Sequence, residues 1–207
     1  MNRVVVVGSS VVDILVKSKD FKVLKSHEVD GGVAMAQVMG GKTETEEMEL
    51  CVGGGGSNVA VGLKKLGEAV KLISRVGDDV MGEVIRTDLG TKQVDISMVQ
   101  KGAGKTGMSV VLISGDGGRT IVTNRGESLK IDGREVDWET LERAEWVQIS
   151  SLGGRFDLLS DLVMFAFSKG VKVGVNPGRA EIENEGFKKL LPKIDYLSLN
   201  RAEASSL

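Results

Sequence analysis

Cysteine and histidine occur once each in this 207-residue sequence, as Cys51 and His27. With one thiol and one imidazole the chain can build neither a disulfide nor a structural zinc site, and no more than one histidine-based catalytic group. Proline is almost as scarce. Pro177 and Pro192 are the only two, and no low-complexity linker interrupts the chain, so one compact body is expected instead of a string of domains. Positive charge is not in excess: 27 Lys and Arg stand against 29 Asp and Glu, a formal charge of -2. The basic surplus that phosphate-backbone binding needs is missing, which argues against nucleic acid as a partner. Long apolar runs are missing too, because the opening valines 4–7 and 11–12 are cut by Asp13, far short of the roughly 20 residues of a membrane helix. Neither a membrane span nor an export signal is expected, and a reducing cytoplasm is the expected location.

Glycine is what the chain has in plenty. Its 28 glycines are roughly twice the average usage and cluster without a repeat, which points to tight turns and ligand loops. Val4–Val7 is an all-apolar run ending in Gly8-Ser9-Ser10, the pattern of an interior parallel strand covered on both faces. Val33–Met39 and Thr43–Leu50, separated by Gly40-Gly41, read as strands of a small appended sheet. The Gly53–Ser57 run is expected as a loop feeding a helix from Asn58 to Leu66, closed by Gly67. Val70–Ser74 follows as a strand, and Asp78 or Asp79 can cap a helix through Ile85–Leu89. Ser109–Ser114 and Arg119–Thr123 flank Gly115-Asp116-Gly117-Gly118, a hairpin pattern. Trp146–Ile149, a helix over Leu158–Phe167 with apolar positions 159, 162, 163 and 166, Val171–Val175, a helix near Phe187–Leu191 and the strand Tyr196–Leu199 complete the alternation. Such alternation predicts a mostly parallel sheet with helices on its faces and right-handed crossovers, with ligands beyond the carboxyl ends of the strands.

Several familiar sites fail on inspection. Gly41-Lys42-Thr43 and Gly104-Lys105-Thr106 imitate a nucleotide P-loop, but Ala36 and Val99 stand where its first glycine must be, so the backbone N–H groups cannot wrap a phosphate. The dinucleotide fingerprint fails at the first strand, which offers Gly8-Ser9-Ser10-Val11. Cys51 and His27 sit in ordinary strand and polar contexts, with no sign of a nucleophile and its base. No spacing selects a carboxylate pair for glycoside hydrolysis.

Three features stand together instead. Asp13 lies in an apolar setting just after the first strand, and a carboxylate there needs partners such as polyol hydroxyls; a turn or cap is the alternative. Gly53-Gly54-Gly55-Gly56-Ser57-Asn58 removes side chains where something must approach the backbone, then presents an amide that both donates and accepts, as sugar hydroxyls do. A flexible loop with a Ser57 or Asn58 cap is its plain alternative. Asn200-Arg201-Ala202-Glu203 follows the last strand and has the spacing of a capping box. Only four residues lie beyond Glu203, too few to nucleate a stable helix alone.

Taken in order, Gly8 to Asp13, Gly53-Gly54 with Asn58 and Ala60, Gly77-Asp78-Asp79-Val80-Met81-Gly82, Asn176-Pro177 and Asn200 with Glu203 resemble the ribokinase-like, or PfkB, family of carbohydrate kinases across essentially the whole chain. The resemblance implies a Rossmann-like three-layer α/β domain over residues 1–207, incomplete at its C-terminus, with lid strands at about 17–51 and 106–125. It implies that Asp13, Gly53, Gly54 and Asn58 hold sugar hydroxyls, and that Asn200 lies near nucleotide phosphates. By the same resemblance Glu203 positions Mg2+ through bound water. Arg125, where the chain leaves the hairpin, is a further substrate position or a solvated surface arginine. ATP and Mg2+ are the implied cofactors, with room for a monovalent cation.

One departure is large. Family members carry a later G-A-G-D segment whose aspartate takes the proton from the attacking hydroxyl, and this sequence contains none. Gly102-Ala103-Gly104-Lys105 begins alike but has lysine in place of the aspartate. The chain is therefore expected to be the sugar-binding part of a kinase, inactive alone, with no catalytic base of its own. The uncovered edge at Tyr196–Leu199 then invites a complementary C-terminal segment or a second copy. A non-catalytic sugar- or nucleoside-binding module and an oligomerisation or regulatory protein are the other readings.

Overall fold

The computed structural model describes residues 4–29 and 31–207. In chain order the strands are β1 (Val4–Val7), β2 (Val11–Ser18), β3 (Lys22–Lys25), β4 (Val33–Ala36), β5 (Glu47–Gly53), β6 (Val70–Gly77), β7 (Asp95–Gly102), β8 (Met108–Ser114), β9 (Arg119–Asn124), β10 (Trp146–Ser150), β11 (Lys172–Asn176) and β12 (Tyr196–Leu197). The helices are α1 (Gly55–Lys65), α2 (Val80–Thr91), α3 (Trp138–Glu142), α4 (Phe156–Lys169), α5 (Arg179–Ile182), α6 (Phe187–Leu190) and α7 (Arg201–Ser206).

Six strands form the central sheet in the order β12-β11-β10-β1-β6-β7, and every pairing in it is parallel. The valines of β1 explain its central place, because side chains alternate across a strand and both faces are covered. Val5 and Val7 join Ile73, Val147 and Val173 in a core with α4, whose Leu159, Leu162, Val163 and Ala166 are the apolar positions expected from periodicity. Val4 and Val6 face the other way, onto Leu72 with Ala60 of α1 and Ile85 and Leu89 of α2. Each large apolar side chain buried in this way contributes about 1.5–3 kcal/mol. Gly170, at φ 70°, ends α4 in the left-handed conformation that lets the chain turn into β11.

Beyond the sheet, β5-β2-β8-β9 form a second, four-stranded sheet, and β3 pairs with β4 in a separate hairpin. β8 and β9 pair antiparallel across Ser114–Arg119, as the turn residues predict. This second sheet begins earlier in the chain than the lid strands expected from about residue 17. Val11–Ser18 is one continuous strand between β5 and β8, so Asp13 sits inside that sheet, not in a turn. The strand expected at Val33–Met39 ends at Ala36, and the one expected at Thr43–Leu50 runs instead from Glu47 to Gly53.

The chain leaves β1 for β6 and β7 on one side and later adds β10, β11 and β12 on the other. The order therefore reverses between β1 and β10, and open α/β sheets bind ligands beyond the carboxyl ends of strands at such a reversal. Gly8–Ser10, the start of α1 and Ser150 pack together at that end.

Candidate functional site

The Asp13 carboxylate rests on the backbone of Gly53. In β2 and β5 these residues are two positions apart in register, Asp13 opposite Cys51 and Val11 opposite Gly53. A methyl group on Gly53 would overlap Asp13 Oδ2 and lie 2.9 Å from its Cγ, so glycine is required for the carboxylate to stand where it does. Asp13 is half-buried while Val12 beside it is fully buried. Its negative charge is felt by Cys51, whose thiol is pushed above its usual range by burial first and by Asp13 and Glu49 next. A thiol held protonated in this way is no nucleophile.

Gly54 comes next and serves as the N-cap of α1 at φ 93°. A side chain there would also approach Ser9 O within 2.5 Å. The helix begins at Gly55, three residues before the expected Asn58, and no side chain of its own first turn caps it. Ser9 does so instead: its hydroxyl accepts the Gly55 N–H at 3.2 Å, and its carbonyl accepts those of Gly56 at 2.9 Å and Ser57 at 3.3 Å. The amides that would otherwise form an anion site at this helix terminus are thus already paired. Gly56 lets α1 approach β1, since a methyl there would stand 2.7 Å from Gly8 O and 2.9 Å from Gly8 Cα. Ser57 Oγ donates to Ser10 Oγ at 2.7 Å, a buried bond that locks the helix to the β1–β2 turn.

Asn58 occupies the first turn of α1, its N–H donated to Gly54 O at 2.9 Å and its side chain exposed. It borders a cavity of about 250 Å3 with Val52, Ser57, Lys65, Asp88 and Lys92. Asp13 and Gly53 are in direct contact; Asn58 follows five residues along the same segment, and Asp13 is not among the residues bordering that cavity. Arg125 is exposed where β9 returns to the central domain, and its carbonyl accepts the Ser128 N–H and hydroxyl. A side chain at Gly107 would meet both Arg125 O, at 2.7 Å, and Val11, at 2.9 Å, so the main chain of Arg125 adjoins the start of β2.

Asn200 and Glu203 lie at the far edge of the sheet, beyond β12. Three strand spacings of about 4.8 Å separate β12 from β1, roughly 14 Å. Both bonds of a capping box are made: Asn200 Oδ1 accepts the Glu203 N–H and Glu203 Oε2 accepts the Asn200 N–H, each at 2.9 Å. Contrary to the expectation from chain length, α7 does form over residues 201–206. The box and packing beside α5 supply what a lone turn lacks. Among the described residues no group of three His, Cys, Asp or Glu is arranged to hold a metal. Glu203 is half-buried, and its Oε1 takes no part in the box.

Three buried or half-buried carboxylates make further ties; the Asp79 cap is the one expected from the sequence, while its bonds to Thr106 and the pairings of Glu127 and Glu181 are not. Asp79 is the N-cap of α2, accepting the Gly82 N–H at 3.0 Å, and also accepts the Thr106 N–H at 3.0 Å and its hydroxyl at 2.5 Å. Burial works against its ionisation, but these bonds hold its carboxyl below the usual range. Glu127, nearly fully buried, takes Lys130 at 2.8 Å and Arg75 at 3.0 Å. The carboxylate of Glu181 is caged by the turns after β10 and β11. Of the three, only Asp79 had a local signal, its position before an apolar helical run.

The family model described as pfkB family carbohydrate kinase matches residues 1–207. The chain is 31% identical over 156 residues to the ATP-dependent ribose-1-phosphate kinase of Halopiger xanaduensis, covering 75% of this chain and 52% of that protein. It is 25% identical over 211 residues to the ribokinase of Staphylococcus aureus, covering 100% of this chain and 63% of that protein. It spans, then, between half and two thirds of the length of these relatives. Among solved structures, ribokinase from Giardia lamblia superposes with a TM-score of 0.79 at 20% identity, covering 99% of this chain and 59% of that one. Arabidopsis thaliana ribokinase complexed with ribose and ATP gives 0.74 at 23% identity, covering 99% and 62%. At those identities the two structures speak for the fold.

Proposed function

Because this chain belongs to the pfkB family of carbohydrate kinases, we propose that it supplies the sugar-gripping part of an enzyme that moves a phosphoryl group from ATP to a hydroxyl of a sugar or nucleoside. The observation that carries this reading is the Asp13 carboxylate seated on Gly53, immediately before the glycine-capped start of α1. An ionised carboxylate is acceptor-only and takes two hydroxyl donors at once, and the Asn58 amide both donates and accepts. Together with the bare backbone at Gly53 and Gly54 they bind and orient a polyol, which lowers the entropy cost of presenting one hydroxyl in line. Arg125 borders the same junction of lid and central domain as a further substrate contact.

Phosphoryl transfer also needs a base and stabilisation of the transferred charge. The start of α1 cannot provide the latter, since Ser9 has taken its amides. Asn200 and Glu203, about 14 Å across the sheet, are assigned to the nucleotide side, with Glu203 Oε1 toward a hydrated Mg2+. When bound, Mg2+ would neutralise phosphate charge. The segment Gly102-Ala103-Gly104-Lys105 is the link from β7 to the lid, packed against Gly77 and Glu127, and supplies no base. We therefore expect no turnover from these 207 residues in a coupled ADP-release assay; measurable turnover would refute that.

The open face of the sheet supports a complementing segment as partner. On the side covered by α1 and α2 the core draws on no other helix. Beyond them Trp146, Gln148 and Tyr196 border an apolar cavity of about 410 Å3 with Val4, Val59 and Leu63. Apolar surface of this kind is normally covered. Light scattering should find the isolated chain associated, through a second copy where the complement is absent; a stable monomer would count against this. The sugar assignment itself is tested by isothermal titration against a panel of ribose, fructose, ribose phosphate and nucleosides. At least one should bind the wild-type chain, and Asp13→Ala and Asn58→Ala should each weaken it tenfold or more. Binding unchanged in both variants would end the assignment.

A further inference from the structure

The most deeply buried acid of the described chain has no place in the chemistry above. Glu181, in the one-turn helix α5, is 1% exposed. No arginine or lysine neutralises it; its partners are backbone amides from two separate turns. Oε1 accepts the N–H of Leu152 at 2.7 Å and of Gly154 at 2.9 Å, both in the turn after β10. Oε2 accepts the N–H of Gly178, in the turn after β11, at 2.8 Å. The Ser151 hydroxyl donates between the two oxygens at 3.3 Å.

Burying a carboxylate is unfavourable unless its lone pairs are filled, and an apolar residue would have filled this space at lower cost. What an apolar residue cannot do is accept four donors from two segments at once. The turn after β10 needs such a tie, because Gly153 and Gly154 stand at φ 68° and 91°, conformations with no ladder partner to hold them. Gly178 is pinned from the other side: a methyl there would lie 2.5 Å from Ser151 Oγ and 2.9 Å from Glu181 Oε2. The residue before this turn, Ser150, is buried at the carboxyl end of β10 against the start of α1. Its Cβ would stand 2.9 Å from methyl groups at both Gly8 and Gly55, the residues on which the start of α1 rests.

We infer that Glu181 is a positioning residue: it joins the turns at the carboxyl ends of β10 and β11 and so fixes the strand ends that lie between Asp13–Asn58 and Asn200–Glu203. It touches no substrate and acts through Ser151, Leu152, Gly154 and Gly178. The inference rests on the ligand-binding reading for its consequence, but not for its geometry.

Glu181→Gln keeps the shape, removes one acceptor and turns an NH2 toward the amides. Residue-level hydrogen exchange on the 207-residue chain should show Leu152, Gly154 and Gly178 exchanging at least tenfold faster, with the β1 amides of Val5–Val7 unchanged. If Glu181→Gln fails to fold, Ser151→Ala removes a single donor and should produce the same local pattern more weakly. In parallel, the panel ligand bound most tightly by the wild type should lose about tenfold in affinity in Glu181→Gln and nothing in Glu183→Gln, an exposed neighbour. Uniform acceleration across β1 and the turns, or none, would show a merely structural residue and overturn the inference, as would local acceleration with unchanged affinity. Should the wild type bind no panel member, the sugar reading fails separately and the exchange pattern alone decides whether Glu181 fixes the two turns.

Discussion

Gly53→Ala tests the Asp13–Gly53 contact through a double-mutant cycle. The added methyl would overlap Asp13 Oδ2 and stand 2.9 Å from Cγ, and the three atoms nearest to it all belong to that carboxyl group. Gly53 is not among the glycines with left-handed φ, so alanine is not strained in its backbone and the whole penalty runs through one side chain. Overpacking of this kind costs about 1–3 kcal/mol. The loss of glycine's freedom in the unfolded chain returns about 0.4–1 kcal/mol. In an otherwise wild-type chain the substitution should therefore destabilise by roughly 1–2 kcal/mol. In an Asp13→Ala background the overlapping atoms are gone, and the same substitution should be neutral or stabilising by up to about 1 kcal/mol. The coupling between the two sites is then on the order of 2 kcal/mol, within the range for residues in contact. Urea denaturation of the four proteins, with m checked for constancy, measures it. Displacing the carboxylate should also weaken the ligand found by titration. One charge-assisted hydrogen bond is worth about 1.5–3 kcal/mol, roughly a 10- to 150-fold loss. A Gly53→Ala penalty equal in both backgrounds would refute the contact, and with it the reason offered for glycine at this position.

Gly56→Ala should be worse than Gly53→Ala, because its methyl meets the backbone of Gly8, which cannot rotate away; a loss of about 3 kcal/mol or failure to fold is expected, and a thermal midpoint within a degree of wild type would contradict it. Asp79→Asn weakens the α2 cap and the Thr106 bonds, costing about 1–2 kcal/mol at neutral pH. Since the folded carboxyl titrates below its ordinary value, its contribution is complete above about pH 4 and lost as pH falls through the folded value. The acid limb of the stability curve should accordingly be shallower in the variant, and an unchanged limb would count against the assignment. Glu127→Gln removes the closest carboxylate of Arg75, which is only 16% exposed and keeps Gln100 at 3.2 Å and Glu135 at 3.5 Å; about 1–3 kcal/mol should be lost in denaturant unfolding, and an unchanged midpoint would refute a stabilising role for the pair.

Local pattern was a good guide wherever a segment's own residues decide its structure. The four valines of β1, the 159-162-163-166 stripe of α4 and the Gly115–Gly118 turn carry their periodicity or turn chemistry within a few residues. Boundaries failed where a distant residue decides. α1 starts at Gly55 because Ser9, some 46 residues earlier, takes its amides. β2 extends through Asp13 because β5 and β8 flank it. The strand β7 at Asp95–Gly102 was not anticipated, since Asp95, Ser97, Gln100 and Lys101 obscure its alternation; its pairing with β6 explains it.

The order of motifs in the sequence was enough to single out Asp13, Gly53, Gly54, Asn58, Asn200 and Glu203, because each needs a particular side chain, or none, at a fixed distance along the chain. Composition likewise excludes an internal disulfide and a structural zinc site, with one cysteine and one histidine. The Asn200–Glu203 capping box, its two residues three positions apart, was already legible in its spacing. Only the tertiary structure decided that Asp13 lies on Gly53, that Ser9 caps α1, and that Glu181 ties the turn after β10 to its own helix. Those are contacts between residues tens of positions apart, and they exist only once the strands have been brought side by side.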